Sequence, residues 1–174
     1  MGTSEQSRFE DLLRRYLQPL RRLAWSYARD QAECDDLLQE IALALWTALP
    51  NFRGDSTERT WLYRIAHNTS ISHLASSKRR GAREANEPGP EPASAGDDPE
   101  AEVIYREKQM RLWSAIRELS LPDRQVIVLY LEGMSAAEIE AVTGFSAGSI
   151  ATRLTRIRQK LAARVAGEER AHER

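Results

Sequence analysis

The order of apolar and polar residues predicts three amphipathic helices in the N-terminal half of the chain. Apolar side chains recur every three or four positions over residues 9–27, then over 31–49, and again up to about residue 76. That spacing is the period of an α-helix. Pro19 predicts a kink or an interruption in the first helix. Pro50 predicts the end of the second, because the residue before a proline disfavours helical geometry.

The third of these helices has a surface suited to single-stranded nucleic acid. Gly54 precedes it in a short polar loop, and residues 55–57 are all competent to cap its first turn. Its apolar face is expected to contain Trp61, Leu62, Ile65, Ala66 and Thr69. A second face is expected to expose Arg59, Tyr63 and His67. Unstacked bases need aromatic faces and donors, and phosphates need cations, although an ordinary amphipathic helix after a glycine turn also fits the pattern.

A second group of helices follows a stretch that is poor in core-forming residues. Residues 82–100 contain four prolines, two glycines and many small side chains, a composition that resists regular structure. Four helices are expected beyond it, the first over about 99–119. Ser135 and Glu138 have the spacing of a capping box for a short helix, which ends at Gly144 before a longer basic helix. This order predicts a helix-turn-helix.

The last helix has the clearest separation of two faces. Its expected buried stripe consists of Ile150, Leu154, Ile157 and Leu161. Its polar face consists of Ser149, Thr152, Arg153, Arg156 and Lys160. Such a face suits a DNA major groove, where arginine pairs with guanine; a solvated basic face is the alternative. Arg153 is nearer the N-terminal end and is expected to reach base edges, whereas Arg156 is expected to reach a phosphate.

The pattern predicts an all-α fold of two small helical domains joined by a flexible linker, the C-terminal domain being a helix-turn-helix. We expect the domains over residues 1–80 and 102–174, with the linker over 81–101. Seven acidic residues and no basic ones lie between 84 and 102. The rest of the chain has 25 basic against 19 acidic residues, so the net charge of −1 understates its local attraction to nucleic acid.

Composition favours a soluble protein of the cytoplasm. Hydrophobic residues make up 41% of the chain and charged residues 29%, as in ordinary globular domains. No apolar run approaches the roughly 20 residues that span a bilayer, and the first residues lack the order of a signal peptide. Cys34 is the only cysteine, so an intrachain disulfide is impossible, which fits a reducing compartment. We expect no membrane insertion.

Three groups of motifs follow one another along the chain. DDLLQEIALALW comes first, then FRGDS with TWLYRIAHN, and then LPDRQVIVL, GMSAAEI and GSIATRLTRIRQKL. In this order they resemble bacterial RNA polymerase sigma factors of the extracytoplasmic-function group, over about residues 8–76 and 108–165. The resemblance implies a factor that binds core RNA polymerase, directs it to promoters and helps to melt the minus-ten element. It also implies an anti-sigma factor as the usual inhibitor.

The resemblance assigns roles to three groups of residues. Polymerase docking on the second helix is implied for Asp35, Asp36, Gln39, Glu40 and Leu43. Recognition and melting of the minus-ten element is implied for Phe52, Arg53, Gly54, Asp55, Ser56, Arg59, Tyr63, Arg64, His67 and Asn68. Recognition of the minus-thirty-five element is implied for Ser149, Thr152, Arg153, Arg156 and Lys160. It implies no catalytic residue, metal, cofactor or small-molecule substrate.

Three other classes of protein compete with this interpretation. Asp36 and Glu40 lie one turn apart and suit a metal, but the sequence offers no third ligand at a useful spacing, which argues against an enzyme. A conventional regulator would use residues 1–80 for sensing or dimerisation and would bind duplex DNA by itself. A helical interaction protein would bind acidic partners with its basic faces. A sigma factor instead needs core polymerase before it opens the duplex.

Overall fold

The computed structural model describes residues 3–79 and 109–172, which contain helices and no strand. The chain separates into two compact units, Met1–Glu91 and Pro92–Arg174. The first unit contains α1 (Thr3–Tyr27), α2 (Gln31–Ala48), a 3₁₀ turn (Leu49–Asn51) and α3 (Glu58–Arg79). The second contains α4 (described over 109–117), α5 (Leu121–Leu131), α6 (Ala136–Thr143) and α7 (Ala147–His172). The all-α class is confirmed, and the predicted linker, 81–101, lies outside the described residues.

The core of the first unit lies where α1, α2 and α3 pack against one another. Its fully buried apolar side chains include Leu12, Leu20, Leu23 and Trp25 of α1, Leu37, Ile41 and Leu45 of α2, and Leu62 and Ala66 of α3. Full burial of one leucine or isoleucine is worth roughly 1.5–3 kcal/mol relative to exposure. The buried row of α2 therefore fixes which face of that helix remains outside.

Capping residues define the starts of α2 and α3. Asp30 begins α2, where its Oδ1 accepts a hydrogen bond from the backbone N–H of Glu33 at 2.8 Å. Thr57 begins α3, where its Oγ1 accepts from the backbone N–H of Thr60 at 3.1 Å. The last of the three predicted caps is therefore the one whose side chain makes this bond. Gly54 has φ of +82° in the preceding loop, a left-handed conformation that favours glycine.

Pro19 does not interrupt α1, which runs unbroken over Thr3–Tyr27; of the two predicted effects, the interruption was wrong and the kink stays a prediction. A proline inside a helix removes one backbone donor and costs about 3 kcal/mol or more. Leu12, Leu20 and Leu23, on either side of it, are fully buried. Their packing against the other helices outweighs the local cost, because tertiary contacts supply most of the stability of a helix in a protein.

α6 and α7 of the second unit form the predicted helix-turn-helix. Ser135 Oγ accepts from the backbone N–H of Glu138 at 3.3 Å, and Glu138 Oε2 accepts from the backbone N–H of Ser135 at 2.8 Å. The capping box is thus confirmed. Gly144 ends α6 with φ of +76°, and α7 begins three residues later. The fully buried core beneath the motif includes Ile116, Val126, Ile139, Ile150 and Ile157.

Candidate nucleic-acid and polymerase interfaces

The outer face of α2 has the composition of a protein-binding surface. Its exposed residues are Asp36, Gln39, Glu40 and Leu43. Leu43 is 66% exposed although it is apolar. Asp35 is half-buried; its Oδ1 accepts from Gln31 Nε2 at 2.9 Å and lies 3.6 Å from Arg21 Nη1. We call Asp35, Asp36, Gln39, Glu40 and Leu43 the α2 outer face.

The loop between α2 and α3 exposes its polar residues and anchors its aromatic one. Arg53, Gly54 and Asp55 are exposed, and Phe52 and Ser56 are half-buried. The Phe52 ring packs on the Trp61 ring with a centroid separation of 4.9 Å. The guanidinium of Arg8, from α1, lies 5.5 Å from the centroid of the Phe52 ring. A cation and a carboxylate therefore reach solvent from a loop that is held at one end.

α3 exposes Arg64 and Asn68 but buries two residues that were expected on the same surface. Tyr63 is 1% exposed and His67 is 5% exposed, so their predicted place on a nucleic-acid surface was wrong. The physical reason is that α3 packs against both α1 and α2, which makes its buried face wider than one apolar stripe. Arg59 is half-buried, with its guanidinium 5.9 Å from the centroid of the Tyr63 ring.

The core holds His67 in its neutral form at physiological pH. Its Nδ1 lies 3.5 Å from the hydroxyl of Tyr27. Burial lowers the pKa of His67 from 6.5 to about 4, because the charged imidazolium is disfavoured away from water. At neutral pH the ring therefore supplies no charge for a phosphate.

A polar cavity of about 370 Å³ opens between α2 and α3. Its lining consists of Glu40, Asn68, Thr69, Ser72, His73 and Ser76. Of these, His73 is buried, with its Nδ1 at 3.1 Å from Glu40 Oε2 and its Nε2 at 3.4 Å from Glu33 Oε1. The exposed Asn68 therefore lies at the edge of a cavity that is lined by hydrogen-bonding side chains.

Glu33 connects this cavity to the interior of the unit. Its Oε2 accepts from Arg29 Nε at 2.9 Å, and its Oε1 accepts from Ser77 Oγ at 2.7 Å. Burial alone would raise the pKa of Glu33, but the hydrogen bonds from Arg29 and Ser77 lower it to about 2. His73 and Glu33 were not among the predicted site residues; the available signal was the pair of small polar residues, Ser70 and Ser77, at the i−3 and i+4 positions of His73.

In the second unit, we call Ser149, Thr152, Arg153, Arg156 and Lys160 the α7 polar face. Thr152, Arg156 and Lys160 are exposed, and Ser149 and Arg153 are half-buried. Arg153 is the most constrained of these residues. Its Nε donates to Ser149 Oγ at 3.3 Å, and its guanidinium lies 5.0 Å from the centroid of the Phe145 ring. All five residues thus reach the surface on the predicted side of α7, three of them exposed and two half-buried.

Asp123 of α5 connects three cations of the α7 polar face. Its side chain is 1% exposed, and its Oδ1 accepts from Arg153 Nη1 at 2.9 Å and from Arg156 Nη2 at 2.6 Å. Lys160 Nζ lies 3.8 Å from its Oδ2. Burial alone would raise the pKa of Asp123, but hydrogen bonds from Arg156, Arg153 and Ser120 hold it below its usual range. Asp123 was not among the predicted functional residues.

Family models and relatives of known class match both units. The model described as sigma-70 region 2 matches residues 12–80, and that of sigma-70 region 4 matches 109–161. The RNA polymerase sigma factor CnrH of Cupriavidus metallidurans is 32% identical over 178 residues, 93% of this chain and 88% of CnrH. The ECF RNA polymerase sigma-E factor of Escherichia coli K12 is 31% identical over 175 residues, 90% of this chain and 86% of the relative. The chain belongs to the extracytoplasmic-function group of sigma-70 factors.

Solved structures of sigma factors share the fold. CnrH in complex with the cytosolic domain of CnrY has a TM-score of 0.68 at 29% identity, over 93% of this chain and 90% of that one. RpoE of Bartonella quintana, solved with the anti-sigma factor NepR, has a TM-score of 0.71 over 88% of this chain and 93% of that one. Its identity is 24%, so that likeness concerns the fold alone.

As a sigma factor, this protein serves in transcription initiation. The region 2 match extends over most of α1 and all of α2 and α3, and the region 4 match extends from α4 into α7. Within the residues that the structure describes, no three His, Cys, Asp or Glu side chains form a group able to hold a metal ion. None of the described helices is long and apolar enough to cross a membrane.

Proposed function

We propose that this sigma factor binds core RNA polymerase with its first unit and directs the enzyme to promoters through DNA-contacting surfaces on both units. The observation that carries the proposal is the exposed basic face of a helix-turn-helix, in a chain whose two halves match sigma regions 2 and 4. The domains are assigned to residues 1–80 and 102–174, with 81–101 as the linker. Two small surfaces on a tether bind tightly only when polymerase fixes both.

Polymerase docking is assigned to the α2 outer face. Its exposed polar residues surround Leu43, which gains the burial that its own domain does not give it. An apolar contact within a polar rim is the usual composition of a protein interface. The buried row behind it, which includes Ile41 and Leu45, supports the face as a rigid ridge. Asp35, Asp36 and Glu40 make the ridge acidic, so the surface that it binds is expected to be basic.

Recognition and melting of the minus-ten element are assigned to the loop and to the exposed side of α3. The proposed contacts are Phe52, Arg53, Gly54, Asp55, Ser56, Arg59, Arg64 and Asn68. Arg53 is exposed and suits a phosphate, and the Asn68 amide suits a base edge. Gly54, with its positive φ and open surroundings, lets backbone come close to a base. Tyr63 and His67 support this surface from inside and take no part in the proposed contacts.

Recognition of the minus-thirty-five element is assigned to the α7 polar face. The first residues of a recognition helix usually reach base edges, which assigns Ser149, Thr152 and Arg153 to bases. Arg156 and Lys160, one and two turns further, are assigned to phosphates. Arg153 remains able to pair with a base although Asp123 and Ser149 each accept from it, because a guanidinium has five N–H donors.

An anti-sigma factor is the proposed inhibitor. CnrH was solved with the cytosolic domain of CnrY, and RpoE of Bartonella quintana with the anti-sigma factor NepR. We assign this protein to the cytoplasm, where polymerase and promoter DNA are found. We propose that it acts by binding alone, without catalysis, cofactor or small-molecule substrate.

Run-off transcription with core RNA polymerase and a promoter library tests the proposal. The purified chain should give specific transcripts only after reconstitution with core enzyme, and permanganate should detect open minus-ten DNA only in the complete complex. If the chain alone bound a duplex promoter tightly and specifically, the protein would act as a conventional regulator. If core enzyme did not bind it, the docking assignment would be wrong.

A further inference from the structure

A single buried carboxylate lies directly behind the α7 polar face. Residues 141–167 contain five basic and no acidic residues. Asp123 of α5 is the carboxylate that faces three of these cations, Arg153, Arg156 and Lys160. Its Oδ1 is shared by two guanidinium groups at 2.9 and 2.6 Å, and a lysine ammonium lies 3.8 Å from its Oδ2.

We propose that Asp123 is a positioning residue that sets the DNA-sequence preference of the α7 polar face. It holds the guanidinium groups of Arg153 and Arg156 in fixed orientations, and it cancels one positive charge of a surface that would otherwise bind any phosphate. The proposal rests on the assignment of that face to the minus-thirty-five element.

Orientation is the first part of the effect. Arginine side chains have many rotamers, and restricting them costs conformational entropy. Contacts with Asp123 restrict Arg153 and Arg156 when the domain folds, so less of that entropy is lost when DNA binds. Arg153 is restricted most, because Ser149 Oγ accepts from its Nε and the Phe145 ring lies against its guanidinium.

Charge is the second part of the effect. A cation that is free to meet a phosphate increases affinity for every DNA sequence, and each such contact adds about 0.9 to the salt dependence. A carboxylate beside the guanidinium groups opposes an approaching phosphate by like-charge repulsion. It opposes a guanine edge far less, because the N7 and O6 acceptors carry no net charge. Asp123 therefore favours base contacts over backbone contacts.

A purely structural role is the alternative. Asp123 lies in the first turn of α5, where a carboxylate also interacts favourably with the helix dipole. If that were its whole contribution, its loss would weaken the domain and lower the affinity for all DNA sequences alike. The two roles are therefore distinguished by the ratio of affinities for two sequences rather than by affinity itself.

The test uses holoenzyme reconstituted from core polymerase and three forms of the full chain. These are the parent, Asp123→Asn and the control Glu118→Gln. Glu118 pairs with Arg164 of α7, so the control removes one negative charge from the same unit, also at a partner of α7, but outside the Asp123 cluster. Each holoenzyme is titrated with two duplexes that share one minus-ten segment. One has the upstream sequence that the parent selects from a random library, and the other has that segment scrambled.

We expect Asp123→Asn to bind the scrambled duplex more tightly than the parent, with about one unit added to the salt slope. The affinity ratio between the two duplexes should fall about tenfold, the size of one lost arginine–base preference. Glu118→Gln should keep the parental ratio. An unchanged ratio in Asp123→Asn, or a fall shared equally by Glu118→Gln, would overturn the proposal, as would equal weakening on both duplexes.

Asp123→Glu gives a second test that keeps the charge. It should bind the scrambled duplex as the parent does and have a ratio between those of the parent and the asparagine variant. Scrambled-duplex affinity equal to that of Asp123→Asn would show that charge is not the cause. The affinity ratio of the parent separates failure of the α7 assignment from failure of the role of Asp123. A parent that did not distinguish the duplexes would contradict the assignment of α7 to the upstream element, whereas a discriminating parent with an unaltered Asn variant would contradict only the role of Asp123.

Discussion

His73 Nδ1 of α3 lies 3.1 Å from Glu40 Oε2 of α2, so a residue of the α2 outer face is tied to the interior of the first unit. The other ring nitrogen of His73, Nε2, lies 3.4 Å from Glu33 Oε1. A change at Glu40 therefore disturbs buried groups as well as any docking contact. Gln39, the preceding residue and exposed on the same face, is a cleaner probe of polymerase binding.

Gln39→Lys should weaken binding to core polymerase without unfolding the protein. The added cation meets the basic surface that the acidic α2 outer face is expected to bind, and we expect a loss of about tenfold, equal to about 1.4 kcal/mol. Its effect on stability should stay within about 0.5 kcal/mol, as for most exposed positions. Gln18→Lys, at an exposed position of α1, is the matched control. Equal affinities of the two variants for core polymerase, measured by fluorescence anisotropy, would contradict the docking assignment.

His67 should make the first unit less stable in weak acid. The folded-state pKa of about 4 lies below the ordinary 6.5, so the unfolded chain binds more protons between these values. The free energy of unfolding therefore rises with pH between these two values, and the contribution of His67 is lost as pH falls from 6.5 to about 4. The full difference corresponds to about 3 kcal/mol, at 1.36 kcal/mol per pKa unit.

The measurement is urea unfolding of the parent and His67→Gln from pH 4 to 7. The parent should lose more stability than the variant over this range, since glutamine stays neutral throughout. Glu33 affects both proteins alike: its pKa is lowered from 4.5 to about 2, so its stabilisation is lost between these values, mostly below the measured range. Parallel pH profiles for the two proteins would show that His67 is not held neutral.

Arg53→Ala should weaken binding of holoenzyme to fork DNA whose non-template minus-ten strand is single-stranded. Arg53 is exposed on the loop, and loss of one phosphate contact on a single strand should lower the salt slope by about 0.7. Arg14→Ala is the control, because Arg14 is also an exposed cation of the first unit, paired with Asp11 on α1. The same slope for both variants would remove Arg53 from the minus-ten surface.

Residue spacing predicted best the helices in which a single narrow row of side chains is buried. The α2 outer face follows from residue spacing, because a buried row leaves only one face outside. The α6–α7 turn follows from the capping box of α6 and from Gly144 at its end. α3 differs because it buries more of its circumference: Tyr63, His67 and His73 are buried together with Leu62 and Ala66, whereas α2 buries a single row. Tyr63 and His67 have both apolar and polar parts, so their residue types suit either a surface or a core, and periodicity cannot decide between them.

Contacts between distant positions were beyond the reach of spacing. Asp123 meets Arg153 and Arg156 across 30 and 33 positions, and that meeting depends on how α5 crosses α7. His73 meets Glu40 across 33 positions for the same kind of reason. Spacing within a single helix predicts Glu40, Arg153 and Arg156 as outward-facing residues, but it cannot pair them with His73 or Asp123 of another helix.

Arg153→Ala and Arg156→Ala should differ in both stability and DNA binding. Arg153 contacts Asp123, Ser149 and the Phe145 ring, and its side chain is 24% exposed, whereas that of Arg156 is 50% exposed. Removing Arg153 should therefore cost about 1–3 kcal/mol of stability, from a charged hydrogen bond and a cation–π contact. Removing Arg156 should cost less, because its side chain is more exposed and the contacts with Ser149 and the Phe145 ring belong to Arg153.

The DNA measurements use holoenzyme, a set of single-base upstream variants and a range of salt concentrations. Arg153→Ala should lose about 1–3 kcal/mol of DNA-binding free energy and should relax the preference at one base position, as expected for an arginine that contacts a base. Arg156→Ala should weaken all sequences alike and lower the salt slope by about one, as expected for a phosphate contact. Thermal unfolding of each chain separates lost contacts with DNA from lost stability. Identical DNA profiles for the two variants would contradict the division of roles, and parental binding by both would mean that the α7 polar face does not recognise the promoter.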